Sequence, residues 1–282
     1  MAAIDYEAEY NNRARVPEHN EIFARWTSEA AAYREARKAD AKLDRKYGTS
    51  PRQHVDVFPN INGDDDAPLA VFIHGGYWRS LDPSQFSQMA AGPNAHGIHV
   101  AVAGYDLCPQ VSIAEIIEQI RAACLALYRK HKKRLTVYGH SAGGHLAACM
   151  AGTDWKNISP DVPADLVPAA YSLSGVFDLT PLLKVSMNKE LRLDDKQAHA
   201  VSPLFWKIPP GRTFDAVVGA LESSEFLRQS RIIADGWGAQ KAMTDYEEIA
   251  GKNHFTIVDA LSDPKSKMVA RIVELSRQTQ AR

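Results

Sequence analysis

The chain has 282 residues, of which 45% are hydrophobic and 24% charged, a composition typical of a globular protein with a sizeable core. Its 33 Lys and Arg residues balance 34 Asp and Glu residues, so the net charge of −1 gives no electrostatic reason to expect nucleic acid or an anionic membrane as a partner. Cys108, Cys124 and Cys149 are too few and too scattered for a disulfide framework, and no paired-cysteine motif indicates zinc. The first fifteen residues are polar and lack the apolar core of a signal peptide. Together with the scattered cysteines, this predicts a reduced, cytoplasmic setting.

The first half of the sequence predicts a helical segment followed by strands that alternate with helices. Residues 5–47 are rich in Ala, Glu, Arg and Lys and are interpreted as an N-terminal helical segment. A short alternating strand is predicted at 54–58, and the apolar run at 69–74 is typical of a strand covered on both faces. A strand at 98–105 and a helix with regularly spaced isoleucines at 112–131 continue the alternation.

The second half repeats this alternation. Strands are predicted at 134–139, 166–175, 213–220 and 243–249, with helices starting at Ala142 and covering 223–238. The charge-free run 135–152 contains two histidines and four glycines and changes from strand-like to helix-like spacing, so we interpret it as a buried strand, turn and helix rather than a membrane span.

Alternating strands and helices of this length favour an α/β fold with a mostly parallel central sheet and helices on both faces. No internal repeat or long linker divides the sequence, so we expect a single domain over 1–282. The stretch 176–212 has four prolines and little strand pattern, which predicts a small helical cap or insertion over one end of the sheet.

A G-x-S-x-G motif, Gly139 to Gly143, supplies a candidate nucleophile in Ser141. The pattern alone is weak, but here it follows an apolar strand and opens an Ala-rich helix, which is the context of the nucleophile turn in α/β-hydrolases. The serine must sit on a sharp, strained turn, and glycines two residues before and after it let the strand and the helix approach closely. The helix N-terminus then directs free N–H groups toward the reacting centre.

The sequence "FIHGGYWRS" (72–80) indicates where an oxyanion would be held. In this fold the loop after the corresponding strand supplies backbone N–H donors, and H-G-G is a known form of that loop. We assign the donors to Gly75, Gly76 and Ala142, with the N–H of Tyr77 as a replacement for one of the glycines. His74 is expected to brace the loop.

The catalytic base is expected after the last strand, because the order along the chain in this fold is Ser, acid, His. His254 in "AGKNHFTIV" directly follows the predicted strand 243–249. His145 lies on the helix one turn past the serine, and His199 lies in the predicted insertion, so neither fits as well as His254.

The acid should follow the preceding strand, where "GALESSEF" offers two glutamates. Glu222 is the first carboxylate after the strand, and a glutamate can accept the Nδ1–H of His254. Glu225 has a structural explanation, because a glutamate in a first helical turn is favoured by the helix dipole. We therefore predict Glu222, with Glu225, Asp245 and Asp215 as the alternatives.

Several of these segments together resemble a known family. The sequences "HGGYW", "GHSAGGHLAA", "SGVFDLTPLL", "VGALESSEFLRQS" and "NHF" are similar to those of the kynurenine formamidases (arylformamidases), α/β-hydrolases near the hormone-sensitive-lipase type of esterase. The resemblance covers most of the chain, including the N-terminal helical segment and "VSPLFW" (201–206).

The resemblance implies that the family's nucleophile, acid and base correspond to Ser141, Glu222 and His254. The family usually has aspartate where Glu222 stands, a departure that leaves formamides, other amides, carbamates and esters open as substrates. A third hypothesis is a catalytically inactive binding protein with the same fold. The presence of a candidate nucleophile, acid and base disfavours it.

We therefore expect a serine hydrolase that acts on a small amide or ester without a metal or organic cofactor. A homodimer is left open. The aromatic residues near the motifs are expected to line the substrate pocket: Tyr77, Trp78, Phe177, Phe205, Trp206 and Phe255.

Overall fold

The computed structural model describes residues 4–282 and is built around an eight-stranded sheet. The strands are β1 (Lys42–Lys46), β2 (His54–Phe58), β3 (Leu69–Ile73), β4 (His99–Ala103), β5 (Leu135–His140), β6 (Ala169–Leu173), β7 (Thr213–Gly219) and β8 (Met243–Ile249). Their order in the sheet is β1-β2-β4-β3-β5-β6-β7-β8. The pairs β1–β2 and β2–β4 are antiparallel and all the other pairs are parallel, which confirms the predicted mostly parallel sheet.

Helices connect the strands. The α-helices are α1 (Tyr6–Tyr10), α2 (Asn12–Arg15), α3 (His19–Ala36), α4 (Ala91–Ala95), α5 (Ile113–His131), α6 (Ala142–Ala151), α7 (Trp155–Ile158), α8 (Asn188–Leu191), α9 (Asp195–Ala200), α10 (Ser224–Ala239) and α11 (Lys267–Gln280). Short 3-10 helices occupy Pro83–Ala90, Thr180–Lys184, Pro203–Phe205 and Thr256–Leu261. Within residues 4–282, no helix combines the length and the apolar character needed to cross a membrane.

Two hydrophobic cores lie on the two faces of the sheet. Strand β3 is fully buried along its five apolar residues, and its side chains alternate between the cores, with Val71 in one and Phe72 in the other. Helices α5, α6 and α10 contribute to the core that contains Val71. Helices α3 and α11 contribute to the core that contains Phe72. Burial on both faces explains why the central strands are continuous apolar runs.

The prediction of an N-terminal helical segment over 5–47 is wrong at the C-terminal end of that segment. Helices α1, α2 and α3 occupy its first part, but Lys42–Lys46 forms the edge strand β1, antiparallel to β2. Four of the five β1 side chains are exposed, so its sequence, "KLDRK", carries no alternation of apolar and polar residues. Its strand conformation comes from backbone pairing with β2, which the composition does not reveal.

The stretch 176–212 follows β6 and contains α8, α9 and two 3-10 helices, with no strand among these described residues. This agrees with the low strand content that the sequence indicated. Its action as a cap stays a prediction, as does the single-domain organisation of the chain.

Candidate active site

Ser141 lies at the turn between β5 and α6 with a strained backbone, at φ 56° and ψ −118°. The two motif glycines allow the close approach of β5, α6 and β3. A Cβ on Gly139 would lie 2.3 Å from the carbonyl oxygen of Gly143, and one on Gly143 would lie 1.9 Å from that of Ile73. No larger residue fits either position without a backbone shift. The turn therefore presents the Ser141 side chain beyond the carboxyl end of β5.

The Ser141, His254 and Glu222 side chains form a chain of hydrogen bonds. Nε2 of His254 lies 3.0 Å from Oγ of Ser141, and Nδ1 lies 2.7 Å from Oε2 of Glu222. All three residues are buried. A histidine that receives the serine proton at Nε2 while a carboxylate holds Nδ1–H has the arrangement of a general base in acyl transfer.

The second carboxylate oxygen of Glu222 is also held in place. Oε1 accepts a 2.7 Å hydrogen bond from the backbone N–H of Gly219 and another from the hydroxyl of Ser174. Ser174 itself has φ 54°, a conformation that non-glycine residues rarely adopt. Both oxygens of the buried carboxylate thus have partners, as a buried charge requires.

The alternative acids are engaged elsewhere. Glu225 lies in the first turn of α10, where Arg228 donates to its carboxylate at 2.8 Å and the Tyr10 hydroxyl also donates at 2.8 Å. The side chain of Arg271 donates to Asp215 at 2.7 Å. The Asp245 carboxylate accepts the N–H of the following residue. None of these three carboxylates contacts His254 by a hydrogen bond within the described chain.

The alternative bases are also occupied. Nε2 of His145 lies 2.7 Å from the carbonyl oxygen of Val201, and its Nδ1 accepts a hydrogen bond from the Trp78 indole at 3.3 Å. Burial lowers the pKa of His145 to about 4, so this ring is neutral at physiological pH. The His199 ring stacks on Phe205, 4.2 Å between centroids. Both rings therefore have structural contacts that explain them.

The loop after β3 places Gly76 and Tyr77 at the wall of the cavity next to Ser141, while Gly75 is buried. Gly76 and Tyr77 both have positive φ values, 108° and 50°. Within residues 4–282, the N–H groups of Gly76, Tyr77 and Ala142 donate to no protein acceptor. Tyr77, whose N–H the sequence offered as a replacement, lines the cavity together with Gly76, and the assignment of the oxyanion donors among Gly75, Gly76, Tyr77 and Ala142 stays a prediction.

His74 braces this loop from inside, as the sequence predicted. Its Nδ1 lies 2.7 Å from the carbonyl oxygen of Gly75, and its ring stacks on Tyr105 with 4.4 Å between centroids. The Tyr105 hydroxyl donates to the carbonyl oxygen of His74 at 2.8 Å. Burial lowers the pKa of His74 to about 4.

A cavity that is open to solvent lies over Ser141 and His254. Its aromatic wall includes Phe23 and Trp26 of α3 together with Tyr77 and Phe255. Residues of α1 and α2 also line the cavity, and the 176–212 stretch contributes Ser186 and Met187. The N-terminal segment is therefore a main part of the wall.

Four of the six aromatic residues predicted to line the pocket do not line this cavity. Trp78 is buried and directs its indole N–H at His145, and Phe177 packs edge-on against Phe214 in the core. Phe205 is 43% exposed, and the Trp206 indole donates to the carbonyl oxygen of Ala200. Only Tyr77 and Phe255 of the predicted set are lining residues. Nearness to a motif in sequence does not fix the direction of a side chain.

The cavity residues that the sequence did not reveal are held by long-range hydrogen bonds. The Tyr77 hydroxyl donates to the carbonyl oxygen of Tyr10 at 2.7 Å and accepts from the side chain of Asn12 at 3.3 Å. The Glu7 carboxylate accepts from the N–H and the hydroxyl of Ser186. No local pattern marks residues 6–15 as part of a site, although the family resemblance extends over this segment.

Within residues 4–282, one group of side chains has donors close enough to hold a metal ion, namely Asp44, His54 and Asp56 on strands β1 and β2. The Asp56 carboxylate is already paired with Arg34 and accepts the N–H of Asp44. These contacts explain the buried carboxylate without a metal ion.

The chain is similar to known enzymes over most of its length. The BD-FAE family model matches residues 55–202. Kynurenine formamidase of Drosophila melanogaster is 31% identical over 244 residues, which cover 82% of this chain and 80% of that protein. A plant relative, the isoprenylcysteine alpha-carbonyl methylesterase of Arabidopsis thaliana, is 28% identical over 51% of this chain and 36% of its own length.

Among solved structures, a candidate thioesterase from Silicibacter sp. tm1040 superposes with a TM-score of 0.87. It is 31% identical in sequence, and the match covers 96% of this chain and 99% of that chain. An esterase B from Lactobacillus rhamnosis, 17% identical over 94% of this chain and 96% of that chain, superposes with a TM-score of 0.64 and has the same fold. The predicted α/β-hydrolase fold is thereby confirmed.

Proposed function

The chain belongs to the kynurenine formamidase family of α/β-hydrolases, and we propose that it cleaves N-formyl arylamines through an acyl-enzyme on Ser141. The observation that carries the proposal is the hydrogen-bond chain from Ser141 Oγ through His254 to Glu222. Family membership supports a hydrolase, and this geometry supports the way in which it attacks a carbonyl carbon.

In the first half of the reaction, Oγ of Ser141 attacks the carbonyl carbon while Nε2 of His254 takes the hydroxyl proton. The Glu222 carboxylate accepts Nδ1–H and stabilises the imidazolium that forms. The tetrahedral intermediate collapses as the C–N bond breaks, and His254 delivers its proton to the leaving nitrogen. The products of this half-reaction are the free arylamine and a formyl ester on Ser141.

Water completes the cycle. His254 takes a proton from the attacking water, the new C–O bond forms, and the bond between the acyl carbon and Ser141 Oγ breaks. The serine oxygen recovers its proton from His254, and formate leaves. In both halves the negative charge on the carbonyl oxygen would be held by backbone N–H groups of Gly76, Tyr77 and Ala142, and each such donor is worth about 3 kcal/mol.

The cavity supports an aromatic leaving group. Phe23, Trp26 and Phe255 present ring surfaces beside Ser141, and these rings lie close together, with 5.0 Å between the centroids of Phe23 and Phe255. An aryl ring of a substrate would pack against these rings in the offset or edge-to-face arrangement that aromatic pairs prefer.

A comparison of substrates tests this proposal. We expect purified protein to hydrolyse N-formyl anilides with a higher kcat/KM than p-nitrophenyl acetate, and the Ser141→Ala variant to hydrolyse neither. Hydrolysis of both substrates by Ser141→Ala at the wild-type rate would contradict the proposal. Thermal unfolding of the variant, expected at the wild-type temperature within a few degrees, controls for misfolding.

Hydrolysis of short-chain or aryl esters is the second candidate function. The similarity to a plant methylesterase favours it, because the same nucleophile and base also serve ester cleavage. An ester preference in the substrate comparison would support this candidate. A preference for formyl anilides would support the first.

A further inference from the structure

His140 precedes the nucleophile in the sequence and lines the same cavity as Ser141 and His254. Within residues 4–282, only one of its two ring nitrogens has a hydrogen-bond partner. Nε2 lies 2.7 Å from the backbone carbonyl oxygen of His254, and a carbonyl can only accept, so Nε2 carries the proton. The ring also lies edge-on to Trp26, with 6.5 Å between centroids.

This contact fixes the chemistry of the second ring nitrogen. With the proton on Nε2, Nδ1 of a neutral imidazole is an acceptor. Nδ1 forms no hydrogen bond within residues 4–282, yet it is not among the fully enclosed polar atoms of that range that lack a partner. Because the residue as a whole is only 3% exposed and lines the cavity, the accessible surface of Nδ1 belongs to the cavity.

The position of Nδ1 relates it to the reacting centre. A Cβ built on Gly75 would lie 3.2 Å from Nδ1 of His140 and 3.1 Å from the Cβ of Ser141. The His140 and His254 rings are 4.8 Å apart between centroids. The free acceptor is therefore close to both the nucleophile and the base that protonates the leaving group.

The ring stays neutral in this environment. Burial lowers the pKa of His140 well below its ordinary value, and the neighbouring His254 lowers it further. Protonation of Nδ1 would add a second positive charge beside the imidazolium of His254 during catalysis. The acceptor thus persists through the reaction.

An acceptor at this place distinguishes amides from esters. The leaving nitrogen of a secondary amide carries an N–H, whereas the leaving oxygen of an ester carries no hydrogen. We propose that Nδ1 of His140 accepts a hydrogen bond from the N–H of the scissile amide and makes the site selective for secondary amides. The inference rests on the proposed acyl-enzyme function and names the substrate class of that site.

Two substitutions separate the two nitrogens of the ring. In His140→Gln, the terminal amide can still donate to the carbonyl oxygen of His254, but no acceptor remains at the Nδ1 position. In His140→Asn, the side-chain oxygen can take the place of Nδ1, while the donor to His254 is lost. The readout is the ratio of kcat/KM for N-formyl aniline to kcat/KM for phenyl formate, measured for wild type and both variants.

We expect His140→Gln to lower this ratio about tenfold, the effect of one neutral hydrogen bond in the transition state, and His140→Asn to retain it. N-methyl formanilide, which has no N–H, should be hydrolysed relative to the ester with the same ratio by all three proteins. Thermal unfolding of each protein shows whether the fold is kept.

Equal loss of anilide and ester hydrolysis in His140→Gln would overturn the inference, because this variant keeps a donor to the carbonyl oxygen of His254 and the lost acceptor would then not distinguish the two substrates. An unchanged ratio in a folded and active variant would overturn it as well. If wild type cleaved phenyl formate but no anilide, the inference would fail while a serine esterase remained. If wild type cleaved neither and Ser141 were unreactive, the proposed function itself would fail.

Discussion

The hydroxyl of Tyr10 donates a 2.8 Å hydrogen bond to Oε2 of Glu225, joining the N-terminal segment to helix α10. The Glu225 carboxylate also accepts a hydrogen bond from the Arg228 side chain, and the Tyr10 hydroxyl accepts one from the Gln229 side chain. The second glutamate of "GALESSEF" is therefore an anchor for a wall of the cavity, while the first, Glu222, contacts His254. Two carboxylates three residues apart have different roles because only one faces the base.

The two glutamates should respond differently to loss of charge. We expect Glu222→Gln to lower kcat by about 10³- to 10⁴-fold, since an amide cannot hold the imidazolium or fix its tautomer. Glu225→Gln should change kcat less than about threefold and lower the free energy of unfolding by about 1 kcal/mol, because Arg228 is 37% exposed and its ion pair is partly screened. Steady-state kinetics and urea unfolding measure the two effects. The reverse pattern would transfer the catalytic assignment to Glu225.

Shortening the acid by one methylene should lower the activity of this enzyme. In this structure the glutamate spans from His254 to the N–H of Gly219 and the hydroxyl of Ser174. Glu222→Asp cannot keep all three contacts, so we expect kcat to fall about tenfold or more, the effect of losing one charge-assisted hydrogen bond. Full activity of Glu222→Asp would show that the longer side chain is unnecessary for orienting the base.

Removal of the Tyr77 hydroxyl should loosen the N-terminal wall of the cavity. In Tyr77→Phe the carbonyl oxygen of Tyr10 and the side chain of Asn12 lose a partner, at a cost of about 1–3 kcal/mol. We expect KM for the anilide to rise several-fold with a smaller change in kcat, since the backbone N–H of residue 77 remains. Tyr6→Phe is a matched control, because Tyr6 does not line the cavity. A fall in kcat at constant KM would argue against a binding role for the wall.

Acid should destabilise the fold through buried neutral histidines. His74 and His145 have pKa values lowered to about 4, so below pH 6.5 the unfolded chain binds protons that the folded chain does not. Each contributes a loss of up to about 2 kcal/mol between pH 6.5 and pH 5. Burial raises the pKa of Asp56 and of Asp215, which acts in the opposite sense because the folded state then binds the extra proton.

Urea unfolding at pH 7 and at pH 5 measures the balance of these effects. We expect lower stability at pH 5 and a smaller loss in the His145→Gln variant, whose side chain cannot titrate. Equal stability of the wild-type protein at the two pH values would contradict the expected dominance of the histidines.

The elements that form the reaction centre could be predicted from local sequence, because each has a local physical requirement. The glycines around Ser141 mark a close crossing of strand and helix, and the apolar runs of β3 and β5 mark strands buried on both faces. The position of His254 follows from its place just after β8. These features depend on neighbours within a few residues.

The walls of the cavity depend on contacts between distant parts of the chain. Residues 6–15 meet Tyr77 and α10 across separations of 65 to 219 residues, and nothing in their own composition shows this. The polar edge strand β1 gains its conformation from pairing with β2. Trp78 and Phe177 sit beside catalytic motifs but point into the core, which only the three-dimensional structure reveals.

The mass of the Ser141-containing peptide after reaction with a fluorophosphonate shows whether Ser141 is the activated nucleophile. We predict one phosphonate adduct per chain, located on Ser141, with a labelling rate at least about 10³-fold lower in His254→Ala, where the hydroxyl has no base. An adduct on another residue, or equal labelling rates in wild type and His254→Ala, would contradict the claim that Ser141, His254 and Glu222 act together.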